Sequence, residues 1–142
     1  KIDLPSDAWY LADKQETNGK TVYYFKRQPI QDSEDRQIIP NISVIIEDID
    51  KDMDVVAYSA MIRSKVNFNV LEVFIAEKGP IKFKNAIGYK GSYVDRNNLD
   101  HTVYVVHGIN GTKGFQIICD FTSNSLDQGD KVGLTTLRSI GK

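Results

Sequence analysis

The clearest alternation of hydrophobic and polar residues lies in three runs in the second half of the chain, at residues 86–94, 99–107 and 114–122. Residues 95–98 separate the first two runs, and a turn around Asn110-Gly111 separates the second from the third. Alternation with a period of two is typical of β-strands that bury one face. Because the connections are short, the pattern predicts a three-stranded antiparallel meander.

The first half of the chain holds further runs of the same kind. Asn18-Gly19 lies between two of them and predicts a hairpin with a type I′ turn, which needs a positive φ at both central residues. A short edge strand is also expected at residues 81–84. The remaining strands are predicted at residues 9–12, 21–27, 41–47 and 70–75.

Two segments show helical spacing of their apolar residues instead. Val55, Tyr58, Ile62 and Val66 predict a helix over residues 53–66, with Asp52 or Asp54 as its N-cap. A second helix is predicted over residues 127–140. Its apolar positions are Val132, Leu137 and Ile140, and Ser125 or Asp127 would cap it.

The acidic segment at residues 47–54 invites comparison with a calcium-binding loop. The spacing of Asp50, Asp52 and Asp54 matches the first ligand positions of an EF-hand. The sixth position requires glycine and is Val55, and the twelfth requires glutamate and is Met61. The sequence therefore favours helix capping here and no metal, with a divalent-cation site as the minor alternative.

The spacing of the predicted turns also fixes an expected register for the meander. A turn centred on Asn110-Gly111 places Thr102 opposite Cys119, and a four-residue turn at 95–98 places Tyr89 opposite Tyr104. The opposite face is half apolar, so we expect helices to cover both sides of the sheet. The core face is then expected to carry Ile87, Tyr89, Tyr104, Val106, Phe115, Ile117, Cys119 and Phe121.

The same register places His101 opposite Asp120, with Ser92 opposite His101 on the preceding strand. A histidine beside a carboxylate is the orienting half of a catalytic triad. A nucleophile is lacking, because Cys119 is predicted on the other face as a buried small apolar residue. We therefore take His101, Asp120 and Ser92 as a candidate binding site and assign no catalytic residue.

Composition narrows the function classes. The 142 residues include 18 basic and 19 acidic side chains, and the resulting net charge of −1 does not favour a nucleic-acid partner. No apolar run approaches the roughly 20 residues that span a bilayer. A single cysteine excludes an internal disulfide. The length suits one domain over residues 1–142, and no motif indicates a cofactor.

Two polar segments permit more than one interpretation. Residues 28–40 read as a loop, either a solvated connector or a functional segment. Lys78, Lys82, Lys84 and Lys90 could form a basic patch for an anionic partner. Protection of an edge strand against unwanted pairing explains these lysines at least as well.

The order of these elements resembles the PsbP-like family. The resemblance is carried by residues 4–9 (Leu-Pro-Ser-Asp-Ala-Trp), by Gly-Tyr-Lys-Gly at 88–91, and by residues 120–123 with the closing segment 125–140. The family includes the PsbP extrinsic subunit of photosystem II, a nuclear Ran-binding factor and bacterial extracytoplasmic proteins of unknown role. It implies an α/β/α sandwich around a mostly antiparallel sheet of about six or seven strands. Its members are usually non-enzymatic, often exported and often lipid-anchored upstream of the domain.

These expectations combine into one functional hypothesis. The chain opens at Lys1 without methionine, which leads us to expect a removed leader and an extracytoplasmic, periplasmic or membrane-anchored, location. The sequence predicts a non-catalytic PsbP-like domain that binds a protein partner in a membrane-associated assembly, without a cofactor. The alternative is a small-molecule or hydrolytic site around His101 and Asp120.

Overall fold

The computed structural model describes residues 9–27, 30–31, 37–38, 41–50, 53–66, 68–75 and 85–122. Within these residues the chain forms one helix and two β-sheets. The elements in chain order are β1 (Trp9–Thr17), β2 (Lys20–Arg27), β3 (Ile30–Gln31), β4 (Gln37–Ile38), β5 (Asn41–Asp48), α1 (Val55–Arg63), β6 (Asn69–Ile75), β7 (Ala86–Val94), β8 (Asp100–Asn110) and β9 (Lys113–Thr122).

Seven strands form the main sheet, in the order β1-β2-β5-β9-β8-β7-β6, and every neighbouring pair is antiparallel. The predicted mostly antiparallel sheet is therefore confirmed. With this order β5 and β6 run in the same direction, and the connection through α1 crosses over β9, β8 and β7. This crossover places α1 against β8 and β7, on one face of the sheet.

The early strands and their turn agree with the sequence in part. The first hairpin is confirmed, with Thr17 opposite Lys20, but Gly19 alone has a positive φ, of 75°. The expected type I′ turn is therefore wrong. The loop predicted at 28–40 is also corrected, because it contains the two-stranded ribbon of β3 and β4. The strand predicted at 81–84 and the helix predicted at 127–140 lie outside the described residues.

The meander of β7, β8 and β9 is confirmed, but both of its registers differ from the predicted ones. Tyr104, not Thr102, lies opposite Cys119, because the turn uses Gly111 and Thr112 as its central residues. This two-residue shift keeps each side chain on its predicted face. The first turn has five residues, 95–99, so Tyr89 lies opposite Val105. A one-residue shift moves every side chain of β7 to the other face.

Both faces of the sheet are buried at its centre, as expected. The face under α1, called the helix face, holds a cluster of Tyr89, Val103 and Val105 with Phe68, Tyr93 and Ile118 packed beside it. Ile87 and Tyr89 therefore lie on the helix face and not on the predicted core face. The second face holds the larger cluster of Trp9, Ile42, Val44, Ala86, Tyr104, Val106, Ile117, Cys119 and Phe121.

Helix α1 is shorter than the predicted helix over 53–66, and its cap is the expected one. The Oδ1 atom of Asp54 accepts a hydrogen bond from the backbone N–H of Ala57 at 2.8 Å. This bond satisfies one of the free donors of the first turn. Tyr58, Ser59 and Ile62 are buried against the sheet. The side chain of Asp54 therefore serves as a cap, as the sequence favoured.

Two glycines of the meander make room for aromatic rings. A Cβ atom at Gly108 would lie 2.2 Å from the ring of Phe115, its cross-strand neighbour. At Gly114 it would lie 2.5 Å from Cζ of Tyr58, whose ring reaches down from α1. Both distances are far shorter than a van der Waals contact. Both glycines are therefore explained by packing.

Candidate functional site

The candidate site forms where the β7–β8 turn meets the start of β8 and the end of β9. Asp95 opens this turn. Its Oδ1 atom accepts hydrogen bonds from the backbone N–H groups of Asn97 at 2.8 Å and Leu99 at 3.0 Å. Asn98 has a φ of 62°, a conformation that asparagine tolerates better than most residues. The turn thus fixes Asp95 with its second oxygen, Oδ2, directed at the neighbouring strand.

His101 lies between two carboxylates. Its Nδ1 atom is 2.7 Å from Oδ1 of Asp120, and its Nε2 atom is 2.7 Å from Oδ2 of Asp95. A neutral imidazole has one N–H group, whereas two carboxylate acceptors require both ring nitrogens to donate. The geometry therefore indicates an imidazolium. We call His101, Asp95, Asp120 and Tyr93 the His101 cluster.

The electrostatics of the cluster agree with this protonation state. The hydrogen bond to Asp120 raises the pKa of His101; burial opposes this effect and the bond to Asp95 adds to it. The pKa of Asp95 is lowered, first by the backbone hydrogen bond from Leu99 and then by His101. Each group thus favours the charged form of its neighbour. Two carboxylates and one imidazolium leave the cluster with one net negative charge.

Tyr93 completes the cluster from β7. Its hydroxyl group donates a hydrogen bond to Oδ2 of Asp120, and its ring stacks on His101 with centroids 4.7 Å apart and planes 17° apart. Burial raises the pKa of Tyr93, and the bond to Asp120 raises it further, so the phenol stays protonated. The stacked ring also favours a cationic imidazole.

The structure brings together two of the three predicted site residues and separates the third. His101 contacts Asp120 diagonally, because Thr122 lies opposite His101 and Val103 lies opposite Asp120. The placement of Ser92 beside His101 is wrong: Ser92 pairs with Thr102 on the second face. The one-residue shift of β7 puts Tyr93 there instead. Cys119 is buried on the second face, as predicted.

Asp95 and Tyr93 are the cluster members that the sequence interpretation missed, Tyr93 because of the register shift and Asp95 because it lies in a turn. The signal that could have found Asp95 is an aspartate that starts a turn, followed by polar residues and, six positions later, by His101. Only the turn geometry shows that Asp95 Oδ1 binds the backbone while Oδ2 reaches the histidine. The resulting set has no nucleophile. It also has no ring nitrogen with a free lone pair, because both nitrogens of His101 donate.

A second histidine, His107, lies on the same strand in a different environment. It is fully buried, and its Nδ1 atom is 2.8 Å from Oγ of Ser59 on α1. The rings of Tyr58 and Tyr89 meet it edge-on, with centroids 6.3 and 5.6 Å away. Burial lowers the pKa of His107 to about 4, and Arg63 adds to the effect. This Ser–His contact is sealed, because Ser59 is only 3% exposed.

Two shallow grooves flank the edge strand β6, each with a volume of about 390 Å³. The helix groove lies on the helix face, and the turn groove lies beside the β7–β8 turn. Tyr93 belongs both to the turn groove and to the His101 cluster. The helix groove is lined by Ala60, Arg63, Val66, Phe68, Val70 and Tyr89, and the turn groove by Asn69, Leu71, Ser92, Tyr93, Val94 and Asp100.

Other sites are not apparent in the described part of the chain. No group of three or more histidine, cysteine, aspartate or glutamate side chains there could hold a metal ion. Asp48 of the acidic segment forms an ion pair with Lys113, and Asp54 caps α1. Among the residues described, no helix has the length and hydropathy to cross a membrane.

Comparisons with known proteins find a structural similarity but no matching family. No protein-family model and no curated protein matches the sequence. A crystal structure of a protein from Bacteroides thetaiotaomicron VPI-5482 is similar to the chain, with 9% sequence identity and a TM-score of 0.48. The alignment covers 99% of this chain and 46% of the Bacteroides protein, so the chain spans about half the length of that neighbour.

Proposed function

We propose that this chain is a non-catalytic, extracytoplasmic, PsbP-like domain that binds a protein partner in a membrane-associated assembly. The observation that carries the proposal is a contrast between two neighbouring regions. The His101 cluster has every reactive group already engaged, whereas the adjacent edge of the sheet exposes aliphatic side chains. The first region offers no catalytic group, and the second offers a surface suited to a protein.

The exposed aliphatic surface lies on β6 and the end of β7. Leu71 is 59% exposed, Val73 is 53% exposed and Val94 is 56% exposed, and Val70 is partly exposed beside them. Single exposed apolar residues are ordinary, but a group of them on adjacent strands is typical of interaction sites. Burial of this group against a partner would remove its contact with water, at a gain of roughly 25 cal/mol per Å².

The chemistry of the His101 cluster supports a binding role over a catalytic one. A general base needs an unprotonated nitrogen within reach of a substrate, and both nitrogens of His101 donate to carboxylates. Ser92 lies on the opposite face and Cys119 is buried, so neither is placed for nucleophilic attack beside the histidine. The cluster instead ties the β7–β8 turn to β9.

The PsbP-like assignment and the α/β/α sandwich are part of the proposal. Support comes from the seven-stranded antiparallel sheet, from α1 on one face and from the buried cluster on the other face. The second helix of the sandwich is the one expected at residues 127–140, outside the described residues. An exported location and a lipid anchor upstream of the domain follow from the same resemblance.

A small-molecule or hydrolytic site around His101 and Asp120 is the second candidate function. The turn groove favours it, because Tyr93 links that groove to the cluster. Such a site would require His101 to release one of its two carboxylates when a ligand enters. Asp95 is the partner that a ligand could replace, since its own turn hydrogen bonds use the other oxygen.

Affinity capture separates the two functions. The purified domain, as wild type and as Asp95→Asn, is used as bait with a detergent-solubilised envelope fraction of its host at two salt concentrations. We expect both baits to retain the same membrane or secreted protein, because Asp95→Asn leaves β6 unchanged. Absence of any reproducible protein would contradict the proposal. A thermal shift by a metabolite that is lost in Asp95→Asn would favour the second function.

A further inference from the structure

The outer side of β6 is an edge of the sheet within the described residues, since β6 pairs there with β7 alone. The unpaired N–H and C=O groups of an edge strand are a template for another strand. Proteins usually protect such edges with charged side chains, bulges or covering segments. The side chains on an edge strand therefore indicate whether that edge is protected against pairing or available for it.

The two edges of this sheet differ in that respect. The other edge strand, β1, carries Asp13, Lys14 and Glu16, and Lys14 forms an ion pair with Glu16 at 2.9 Å. In β6 the charged residue is Glu72, and its neighbours Leu71 and Val73 are more than half exposed. A bulge interrupts the pairing of both edge strands, at Ala12 of β1 and at Leu71 of β6, so the two edges differ in charge and not in this respect. Thus β1 is protected by charge, and β6 presents aliphatic side chains.

Each face of β6 opens onto one of the two grooves. Val70 lines the helix groove, and Leu71 lines the turn groove. In a strand added beside β6, successive side chains would point to opposite faces of the sheet. They would therefore enter the helix groove and the turn groove in alternation. This is the geometry of strand addition, in which backbone bonds supply affinity and alternate pockets supply specificity.

Arg63 gives the helix groove a charge preference. Apart from Arg63 and Ser64, the residues that line this groove are aliphatic or aromatic, and the guanidinium lies 5.6 Å from the centroid of the Tyr89 ring. No carboxylate in the described parts of the chain forms an ion pair with Arg63. Arginine at the rim of an apolar groove suits a carboxylate through paired hydrogen bonds. A strand that pairs with β6 would therefore bind most favourably if it carried an acidic side chain on this face.

We propose that the β6 edge binds an extended segment of the partner protein as an eighth strand, with an aspartate or glutamate side chain placed in the helix groove beside Arg63. This inference rests on the proposed binding function and adds the surface and the kind of partner segment. The apolar side chains next to the acid contact Val70 and Val73 on the same face. Polar side chains on the other face meet Asn69 and Ser92 of the turn groove.

A random twelve-residue peptide library displayed on phage tests the proposal. Peptides are selected on the wild-type domain, synthesised, and measured by fluorescence anisotropy. We expect alternating sequences with one acidic residue. Val73→Lys should weaken their binding about tenfold or more, because it places a charge in the centre of the interface. Leu11→Lys is the matched control, since Leu11 is 50% exposed on the other edge, and it should leave binding unchanged.

Two further measurements address the backbone and the charge. N-methylation of alternate peptide amides removes the donors that face β6 and should abolish binding. Arg63→Gln should weaken the acidic peptide about threefold and should not affect the same peptide with asparagine in place of the acid. If circular dichroism shows that Val73→Lys disturbs the fold, Leu71→Lys repeats the test of the edge from the other face of β6.

The proposal is overturned if no peptide is selected, if the lysine variants bind as well as the wild type, or if N-methylation has no effect. It is also overturned if sedimentation shows a wild-type dimer that Val73→Lys dissociates, since a second copy would then occupy the edge. Capture of the same envelope protein by Val73→Lys and by the wild type would refute binding at the β6 edge but not the binding function. The binding function itself fails only if no bait captures a partner.

Discussion

His101 and His107 lie on the same strand, β8, and their environments have opposite effects on protonation. His101 lies between Asp95 and Asp120, and its pKa is raised by these carboxylates. His107 is buried under α1 beside Ser59, and its pKa is lowered to about 4, mainly by burial. Residue type, strand and face of the sheet are the same in both cases, so the neighbouring elements decide the charge.

The comparison also explains why neither histidine makes a good catalytic base. His101 has carboxylate partners of the kind found in a catalytic triad, but it has two of them and thus no free nitrogen. His107 has the neutral form and a serine partner, but no substrate can reach the pair. Each histidine therefore lacks what the other one has.

The largest expected effect is a loss of stability at acid pH that depends on His107. Because the pKa of His107 is lowered from 6.5 to about 4 on folding, its neutral form contributes stability that is present above pH 6.5 and is lost as the pH falls toward 4. The contribution amounts to about 3 kcal/mol at most. Urea unfolding at a series of pH values measures it. His107→Gln should remove most of this slope, and an unchanged slope would show that other groups cause it.

The next effect concerns Asp120, which accepts hydrogen bonds from both His101 and Tyr93. Asp120→Asn removes the charge from a part-buried acceptor of two donors, and we expect a loss of about 2 kcal/mol in the free energy of unfolding. The pKa of His101 should fall at the same time. A variant that unfolds at the wild-type urea concentration would contradict this role. Asp100→Asn, an exposed aspartate on the neighbouring strand β8, is the control.

A smaller effect is expected at Asp95, where two variants separate its two tasks. Asp95→Asn can keep the hydrogen bonds to Asn97 and Leu99 but loses the charge that faces His101. Asp95→Ala loses both. We expect both variants to have a lower thermal midpoint than the wild type. The decrease should be modest in Asp95→Asn and larger in Asp95→Ala. Equal midpoints would mean that the turn hydrogen bonds add nothing.

The smallest effect is the dependence of stability on alkaline pH through His101. Its pKa is raised on folding, so the imidazolium contributes stability that is fully present below pH 6.5 and is lost as the pH rises through the raised value. The sign is opposite to that of His107. His101→Gln should flatten the stability curve above neutral pH, whereas the loss of stability between pH 6.5 and 4 that His107 causes should remain. The same urea series checks this, and an unchanged slope above neutral pH would contradict it.

The predictable part of the fold is the part set by local pattern. Alternation predicted the strands of the meander, the apolar spacing around Tyr58 and Ile62 predicted α1, and Asp54 was one of two expected caps. These features depend on a few neighbouring residues in the sequence. The lengths of the turns depend on details that the pattern does not contain.

Leu99 shows why the register could not be predicted. As an apolar residue it reads as the start of β8, but its N–H and C=O groups both bond to Asp95, so it belongs to the turn. This one residue moves Tyr93, rather than Ser92, next to His101. The role of His107 was missed for a different reason, since its burial depends on where the crossover helix lies on the sheet.

The protonation of His101 is the central claim, and NMR titration of the two imidazole rings tests it most directly. We predict that His101 titrates above its ordinary pKa of 6.5, whereas His107 stays neutral down to a pKa of about 4. His101→Gln and His107→Gln assign the two signals. A neutral His101 that titrates at or below 6.5 would contradict the account, because one ring nitrogen would then be free to act as a base.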